Sequence, residues 1–370
     1  MLHRLNPIDD NERIVRLTQI VNTLIEFLCR PDNPFCEVNP DDLGVRISAT
    51  CPDPALAKWI GNPQGKNLKQ KITAIVQHIA VHPEQRDLLR SAFQHDVEYH
   101  QHLDDEDFAF TFSQIDPDLQ PHIQSLMVYL YENLGDNGYP NVVMGDGRTF
   151  NRGDYLIVWE EQNSLLNVCP ACDGKRPDRG RNKHRMSDLD HFLPKSVYPF
   201  LALHPRNLVP ICIECNQRIK GEIDPLVDNG AVSFSHTFHP YTSVAAVDVI
   251  DAVCQRDSNG APGVKLEDVE LGGQTARVGS LDRVFDLGNR WTGRISEVEA
   301  SLLDKISGWM DKFSSVDMSI QDKHETVRDI VQADQDRVKI GSQPNRILYK
   351  SYLSFLLADS VELEEMLSGM

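Results

Sequence analysis

Residues 188–221 read DLDHFLPKSVYPFLALHPRNLVPICIECNQRIKG, from Asp188 to Gly221. The stretch concentrates an Asp-His pair (Asp190, His191), two spaced asparagines (Asn207, Asn216), a Cys-x-x-Cys (Cys212, Cys215) and the cations Arg218 and Lys220. Apolar alternation through DLDHFLP predicts a strand that runs into a turn at Pro194. CNQRIKG reads as the start of a helix. A solvated loop has no use for this mixture, so the stretch decides both fold and chemistry.

Upstream lies a second pair, Cys169 and Cys172, separated from Cys212 by residues 173–211. Each Cys-x-x-Cys makes a tight knuckle that aims two thiolates at one ion, and two knuckles complete a tetrahedral zinc site. Gly174 suits the turn that the first knuckle needs. A closed four-sulfur site leaves no open coordination position, so its zinc is expected to be structural. A redox dithiol is the weaker alternative, because the two pairs are explained jointly by one metal. Cys29, Cys36, Cys51 and Cys254 are unpaired in the sequence and read as idle thiols.

Between the knuckles runs KRPDRGRNKHR, where Lys175, Arg176, Arg179, Arg181, Lys183 and Arg185 face one acid, Asp178. That run is expected to contact phosphates. The whole chain argues the other way: Lys+Arg number 37 against Asp+Glu 55, for a formal net charge of -18. Such acidity discourages nucleic-acid binding, and it is consistent with a partner supplying part of the grip. Hydrophobic residues make up 41% and charged residues 25% of 370, ordinary for a globular protein that buries a sizeable core. No window approaches a membrane-spanning apolar run, and the N-terminus is charged at once. No membrane partner and a cytoplasmic location are therefore expected. GNPQGKN (61–67) imitates a phosphate loop but is one residue short and lacks the Ser/Thr after lysine.

Four regions emerge along the chain. Residues 1–135 carry helical periodicity, clearest where Ile14, Leu17, Ile20, Val21, Leu24 and Leu28 share one face. Residues 136–160 open with Gly, Asn and Asp turns and read as a boundary. Residues 161–240 hold the cysteines and 241–370 are mainly helical, and beyond Gly221 AVSFSHTFHPY (231–241) and GVKLEDVELGG read as short strands.

The central segment resembles the HNH, or ββα-metal, endonucleases. Their signature is an Asp/His-His pair on a first strand, an Asn in the loop, and a His or Asn opening a short helix. Asp190-His191, Asn207 and Asn216 fill these positions, inside paired Cys-x-x-Cys knuckles such as many members carry. The match covers roughly Cys169 to Gly221. It implies an α+β fold: a mostly helical chain around a central ββα-metal, zinc-containing nuclease core. DHFLPKSVYP, NLVPICIECNQRIKG and FHPY (238–241) also resemble the HNH subunits of Septu-type antiphage systems, which work with an ATPase partner. That implies a role in antiviral defence.

The chemistry asked of these residues is consistent with the resemblance. Phosphodiester hydrolysis needs a nucleophile made from water and a cation on the scissile phosphate. His191 is expected to take the water proton as general base. Asp190 and Asn216 offer oxygen ligands to a hard cation, Mg²⁺ or Mn²⁺. Because Asn216 stands where other members carry His, the final ligand is oxygen rather than imidazole. Asn207 is expected to fix the loop, and Arg218 and Lys220 to hold flanking phosphates of DNA. Neighbouring strand residues face opposite ways, so the turn must distort β geometry if Asp190 and His191 are to share a site. The alternatives are a zinc-ribbon adaptor that binds without cutting, and an RNA-cutting HNH protein. For the latter no aromatic stacking platform is evident in the sequence.

Overall fold

The structure is a computed structural model. It describes the chain except residues 37–42, 63–65, 137, 142–143, 145–146, 178–188, 243, 259, 270–272, 315, 359 and 369–370. Helix α1 (Glu12–Leu28) starts where the Asn11 side chain accepts the Arg13 backbone N–H at 3.1 Å, an N-cap that satisfies an otherwise orphaned donor. Its apolar stripe, from Ile14 to Leu28, is buried as its periodicity requires. Around it stand α2 (Leu43–Thr50), α3 (Pro54–Gly61), α4 (Lys66–Val81), α5 (Gln85–Val97) and α6 (Gln120–Glu132).

Helix α7 (Arg152–Gln162) begins inside the turn-rich boundary. Asn151 and Asp154 close a reciprocal capping box there, a strong local start signal. Beyond the knuckles, β1 (Leu189–His191) pairs antiparallel with β2 (Leu208–Pro210), His191 opposite Leu208 and Asp190 opposite Val209. A helical segment, Glu214–Lys220, follows with the wide winding of a π-helix, a form concentrated at functional positions. Gly221 ends it at φ +50°, a left-handed backbone that glycine adopts without strain.

The short pair β3 (Val227–Asp228) and β4 (Ala231–Val232) precedes α8 (Ala246–Val249) and the seven-residue hairpin of β5 (Ile250–Arg256) with β6 (Pro262–Asp268). Helices α9 (Thr275–Phe285), α10 (Leu287–Ser314), α11 (Ile320–Arg337), α12 (Arg346–Ala358) and α13 (Ser360–Ser368) complete the chain. The fold is α+β, with helices around small antiparallel sheets. Buried apolar side chains from Met1 to Leu367 form one continuous core cluster, so the central segment is packed from both flanks.

Two tyrosines fasten the β pair to the N-terminal helices. Tyr131 of α6 donates to the Leu189 carbonyl at 2.8 Å. Tyr155 of α7 donates to the carbonyls of Pro205, at 2.8 Å, and Leu208, at 3.2 Å. All three strand-adjacent carbonyls are buried, where an unmade hydrogen bond would be costly.

Candidate metal centre and adjoining cleft

The Sγ atoms of Cys169, Cys172, Cys212 and Cys215 all lie within 4.8 Å of one another. Cys172 and Cys212 are 3.9 Å apart. Zinc–sulfur bonds of about 2.3 Å in a tetrahedron set sulfur–sulfur edges near 3.8 Å, so the cluster fits zinc in size and donor type. The Cys212 backbone N–H donates to Cys169 Sγ at 3.3 Å. Arg290 of α10 donates to Cys215 Sγ at 3.2 Å and to Glu214 Oε2 at 2.8 Å. Arg294 reaches the same Glu214 oxygen at 3.0 Å. Four thiolates around one Zn²⁺ leave net negative charge, and Arg290 is placed to offset it. Cys172 is held well below the usual thiol range, first by hydrogen bonds from the other three sulfurs and also by the Arg290 charge.

The turn of the first knuckle corrects one expectation. Asp173, not Gly174, adopts the left-handed backbone, at φ +55°. Gly174 is needed for room: a Cβ there would come within 3.1 Å of both Cys172 Sγ and Arg294 Nη1. Asp173 is fully buried and accepts His3 Nε2 at 2.9 Å and the Ile347 backbone N–H at 3.0 Å. Leu2 and His3 both donate to the Pro170 carbonyl, at 3.1 and 3.0 Å. The N-terminal segment and α12 thus meet on the knuckle.

Beside this centre lies a cleft of about 430 Å³ whose lining includes Asp190, His191, Asn216, Lys195, Arg152 and Tyr131. Although consecutive on β1, Asp190 and His191 share it. His191 is the last strand residue, and its Nε2 donates to the Ala202 carbonyl at 2.9 Å. That bond leaves Nδ1 as the acceptor nitrogen of a neutral ring. Burial, with Lys195 next, lowers the His191 pKa to about 3. The Tyr131 ring packs edge-on against the imidazole, 4.4 Å between centres. Asn207 is fully buried in the loop joining the strands. Its side chain accepts the Leu193 N–H at 2.7 Å and donates to the carbonyls of Leu193, at 3.0 Å, and Leu201, at 3.1 Å. It therefore holds the loop that carries Ala202.

Lys220 corrects a second expectation. It is not a surface cation; it is 1% exposed, donates to the His191 carbonyl at 2.7 Å and lies 3.2 Å from Asp190 Oδ2. Burial nonetheless raises the Asp190 pKa, the Lys220 charge opposing it. Asp190 Oδ2 is sealed from solvent, within ion-pair distance of Lys220 but off the angle of a hydrogen bond. What fits a hard cation is the donor set, since the carboxylate of Asp190 and the amide of Asn216 line one cleft and both offer oxygen.

Of the other cations, Lys175 and Arg218 are exposed. Arg176 is engaged with the protein, donating to Asn167 Oδ1 at 3.1 Å and lying 3.5 Å from Glu160. Arg179, Arg181, Lys183 and Arg185 lie outside the described residues. Sequence reasoning missed Arg152 and Lys195, which come to the cleft from α7 and from the turn after β1. Both stack on Tyr131, at 4.6 and 5.3 Å from its ring centre. Lys195 was within reach of the sequence, four residues after His191; Arg152 carried no local signal.

The geometry defines a four-cysteine centre fit for zinc beside a His/Asp/Asn cleft on an antiparallel β pair and a helical segment. No family model and no solved structure matches the chain. The chain is similar to Protein ea31 of Escherichia phage lambda, 39% identical over 114 residues. That stretch is 30% of this chain and 29% of the phage protein, so the chain spans under a third of that relative.

Proposed function

We propose that the protein is a metal-dependent nuclease of the HNH, or ββα-metal, type that hydrolyses phosphodiester bonds, with His191 as general base. The observation that carries the reading is the His191 Nε2 to Ala202 carbonyl bond. It fixes the tautomer so that Nδ1 holds the lone pair a base requires. The order of strand, strand and helical segment, with Asn207 bracing the loop, supports the same reading. Asp190 and Asn216 are the residues that would hold Mg²⁺ or Mn²⁺, which supplies charge stabilisation at the phosphate. Lys195 and Arg152 bring positive charge to the same cleft. Zinc at the four cysteines is structural in this reading. Work as a subunit beside an ATPase partner in antiphage defence belongs to it as well, supported by the sequence resemblance alone.

The experiment is incubation of the zinc-loaded protein with plasmid DNA and with RNA in Mg²⁺ or Mn²⁺, with and without co-purifying partners. His191→Ala should lower cutting by about 10² to 10⁴-fold while zinc content and folding stay as in the wild type. Wild-type cutting by His191→Ala would refute the assignment.

A further inference from the structure

Three hollows lie in series beside α6, joined by the residues they share. The first is the cleft of Asp190 and His191, where Lys195 and Arg152 stack on Tyr131. Ser196 lines both this cleft and a second hollow of about 530 Å³, a volume in the range of ligand pockets. The second hollow includes Phe108, Phe110, Phe112, Tyr198 and Gln124, and among the described residues no charged side chain lines it. Pro121 and Gln124 join it to a third, where Lys71 Nζ stands 5.8 Å from the Tyr129 ring centre.

The middle hollow is an aromatic platform that the sequence did not reveal. Phe110 packs 4.5 Å from Tyr198 and 5.2 Å from Phe108, centre to centre. Phe110 and Phe112 are only half-buried, and both line the hollow. Gln124 donates to the Ser196 carbonyl at 3.0 Å, which ties α6 to the turn bearing Lys195. From Lys195 to Tyr198 is three residues, at most about 10 Å of chain. A phosphate near Lys195 and a base near Tyr198 are therefore a nucleotide's reach apart.

We propose that this track binds an unpaired nucleic-acid strand, with one exposed base in the Phe110–Tyr198 hollow and the adjoining phosphate in the cleft. The inference rests on the nuclease reading and narrows its substrate to strands with unpaired bases. Cations alternating with aromatic surface are what a single strand needs, because every base has a face to stack. A base inside a duplex has both faces occupied. Duplex affinity comes mainly from neutralised phosphates, and a chain of net charge -18, with Glu132 and Glu222 in the end hollows, is poorly equipped for that. An apolar peptide would suit the middle hollow but has no use for the cations at both ends.

The test measures fluorescence anisotropy of labelled single-stranded DNA, single-stranded RNA and blunt duplex DNA of equal length, using the zinc-loaded full chain in Ca²⁺. Single strands should bind at least about ten-fold tighter than duplex, and the better of DNA and RNA identifies the sugar. Phe110→Leu, which keeps apolar volume without the ring face, should remove about ten-fold of that preference. Val197→Glu, at a half-exposed lining residue, should do the same without disturbing the packed rings. Duplex affinity and zinc content should not move in either variant, and thermal unfolding should not move in Val197→Glu. Equal affinity for single strands and duplex, or unchanged single-strand affinity in both variants, overturns the track. If the wild type still cuts DNA and His191→Ala does not, the nuclease reading survives that result. A wild type that binds single strands in this way but cuts none, with or without co-purifying partners, keeps the track and removes the nuclease reading.

Discussion

The Lys220 ammonium lies 3.2 Å from Asp190 Oδ2, and both side chains are buried. The ammonium also takes the carbonyl of His191, so one lysine from the helical segment gathers the two neighbouring residues of β1. Removing one member of a buried pair leaves the other charge without compensation. Lys220→Met should therefore cost about 3 to 5 kcal/mol, read by urea unfolding. If Lys220 instead held phosphate, the variant would unfold like the wild type and lose only salt-dependent binding.

Zinc content gives the second prediction. One zinc per chain should co-purify, and Cys212→Ser or Cys215→Ser should lose it, read by elemental analysis. The knuckles bind His3 and the start of α12 through Asp173. Chelation should therefore lower the melting temperature of the whole chain rather than loosen one loop. A well-folded, zinc-free protein with four free thiols would contradict this.

Asn207 makes three hydrogen bonds from a fully buried amide. Asn207→Ala leaves Leu193 N–H and two carbonyls without those partners, each orphan costing about 1 to 3 kcal/mol. A stability loss near the lower end of their sum, about 3 kcal/mol, is expected by chemical denaturation. Because the braced loop carries Ala202, cutting should fall as His191 loses its aim. Asn207→Asp keeps the oxygen acceptor but sets a buried carboxylate oxygen against the Leu193 and Leu201 carbonyls, so at neutral pH it should destabilise at least as much as Asn207→Ala.

These residues also mark how far the sequence could be read. The two cysteine pairs, Asp190, His191 and Asn207 were legible because each signal is local: a spacing, a dipeptide, a loop position. Arg290, Arg152, Tyr131 and Asp173 were not, since their roles depend on α10, α7, α6 and the N-terminal segment meeting the core. Lys220 looked exposed because Gln217 and Arg218 stand just before it and a helix-ending glycine just after; only the packing of the helical segment on β1 turns it inward. The helical texture of the C-terminal region gave no break at Asp286, whose backbone at φ +49° separates α9 from α10. Strand β5 went unseen because only Ile250 and Val253 of IDAVCQR are strong strand formers, while Asp251 and Ala252 disfavour strands.

His239 supplies a pH prediction away from both metal positions. It is buried against Tyr99, whose hydroxyl lies 3.3 Å from Nε2. Burial, helped by the Met1 amine, holds its pKa well below the ordinary value of 6.5. The unfolded chain then binds the extra proton first, so stability is full above about pH 6.5 and falls as pH drops below it. The slope from one such group is about 1.4 kcal/mol per pH unit. His239→Asn should remove that share of the acid slope, compared with wild type in excess zinc. An unchanged slope would mean the ring is protonated or solvated in the folded state.

Tyr131 separates two contributions that a single deletion would merge. Its hydroxyl, whose pKa burial pushes up to about 12, donates to the Leu189 carbonyl at 2.8 Å. Its ring carries Arg152 and Lys195 and packs edge-on against His191. Tyr131→Phe keeps the ring and orphans one buried carbonyl, so it should cost about 1 to 3 kcal/mol of stability with cutting retained. Tyr131→Leu keeps apolar bulk but gives up both cation–aromatic contacts, each worth roughly 0.5 to 2 kcal/mol. Its nucleic-acid affinity and its cutting rate should fall well beyond those of Tyr131→Phe, measured on the same substrate and salt. If the two variants cut alike, the ring has no part in positioning Lys195, Arg152 or His191, and Tyr131 serves only to fasten β1 to α6.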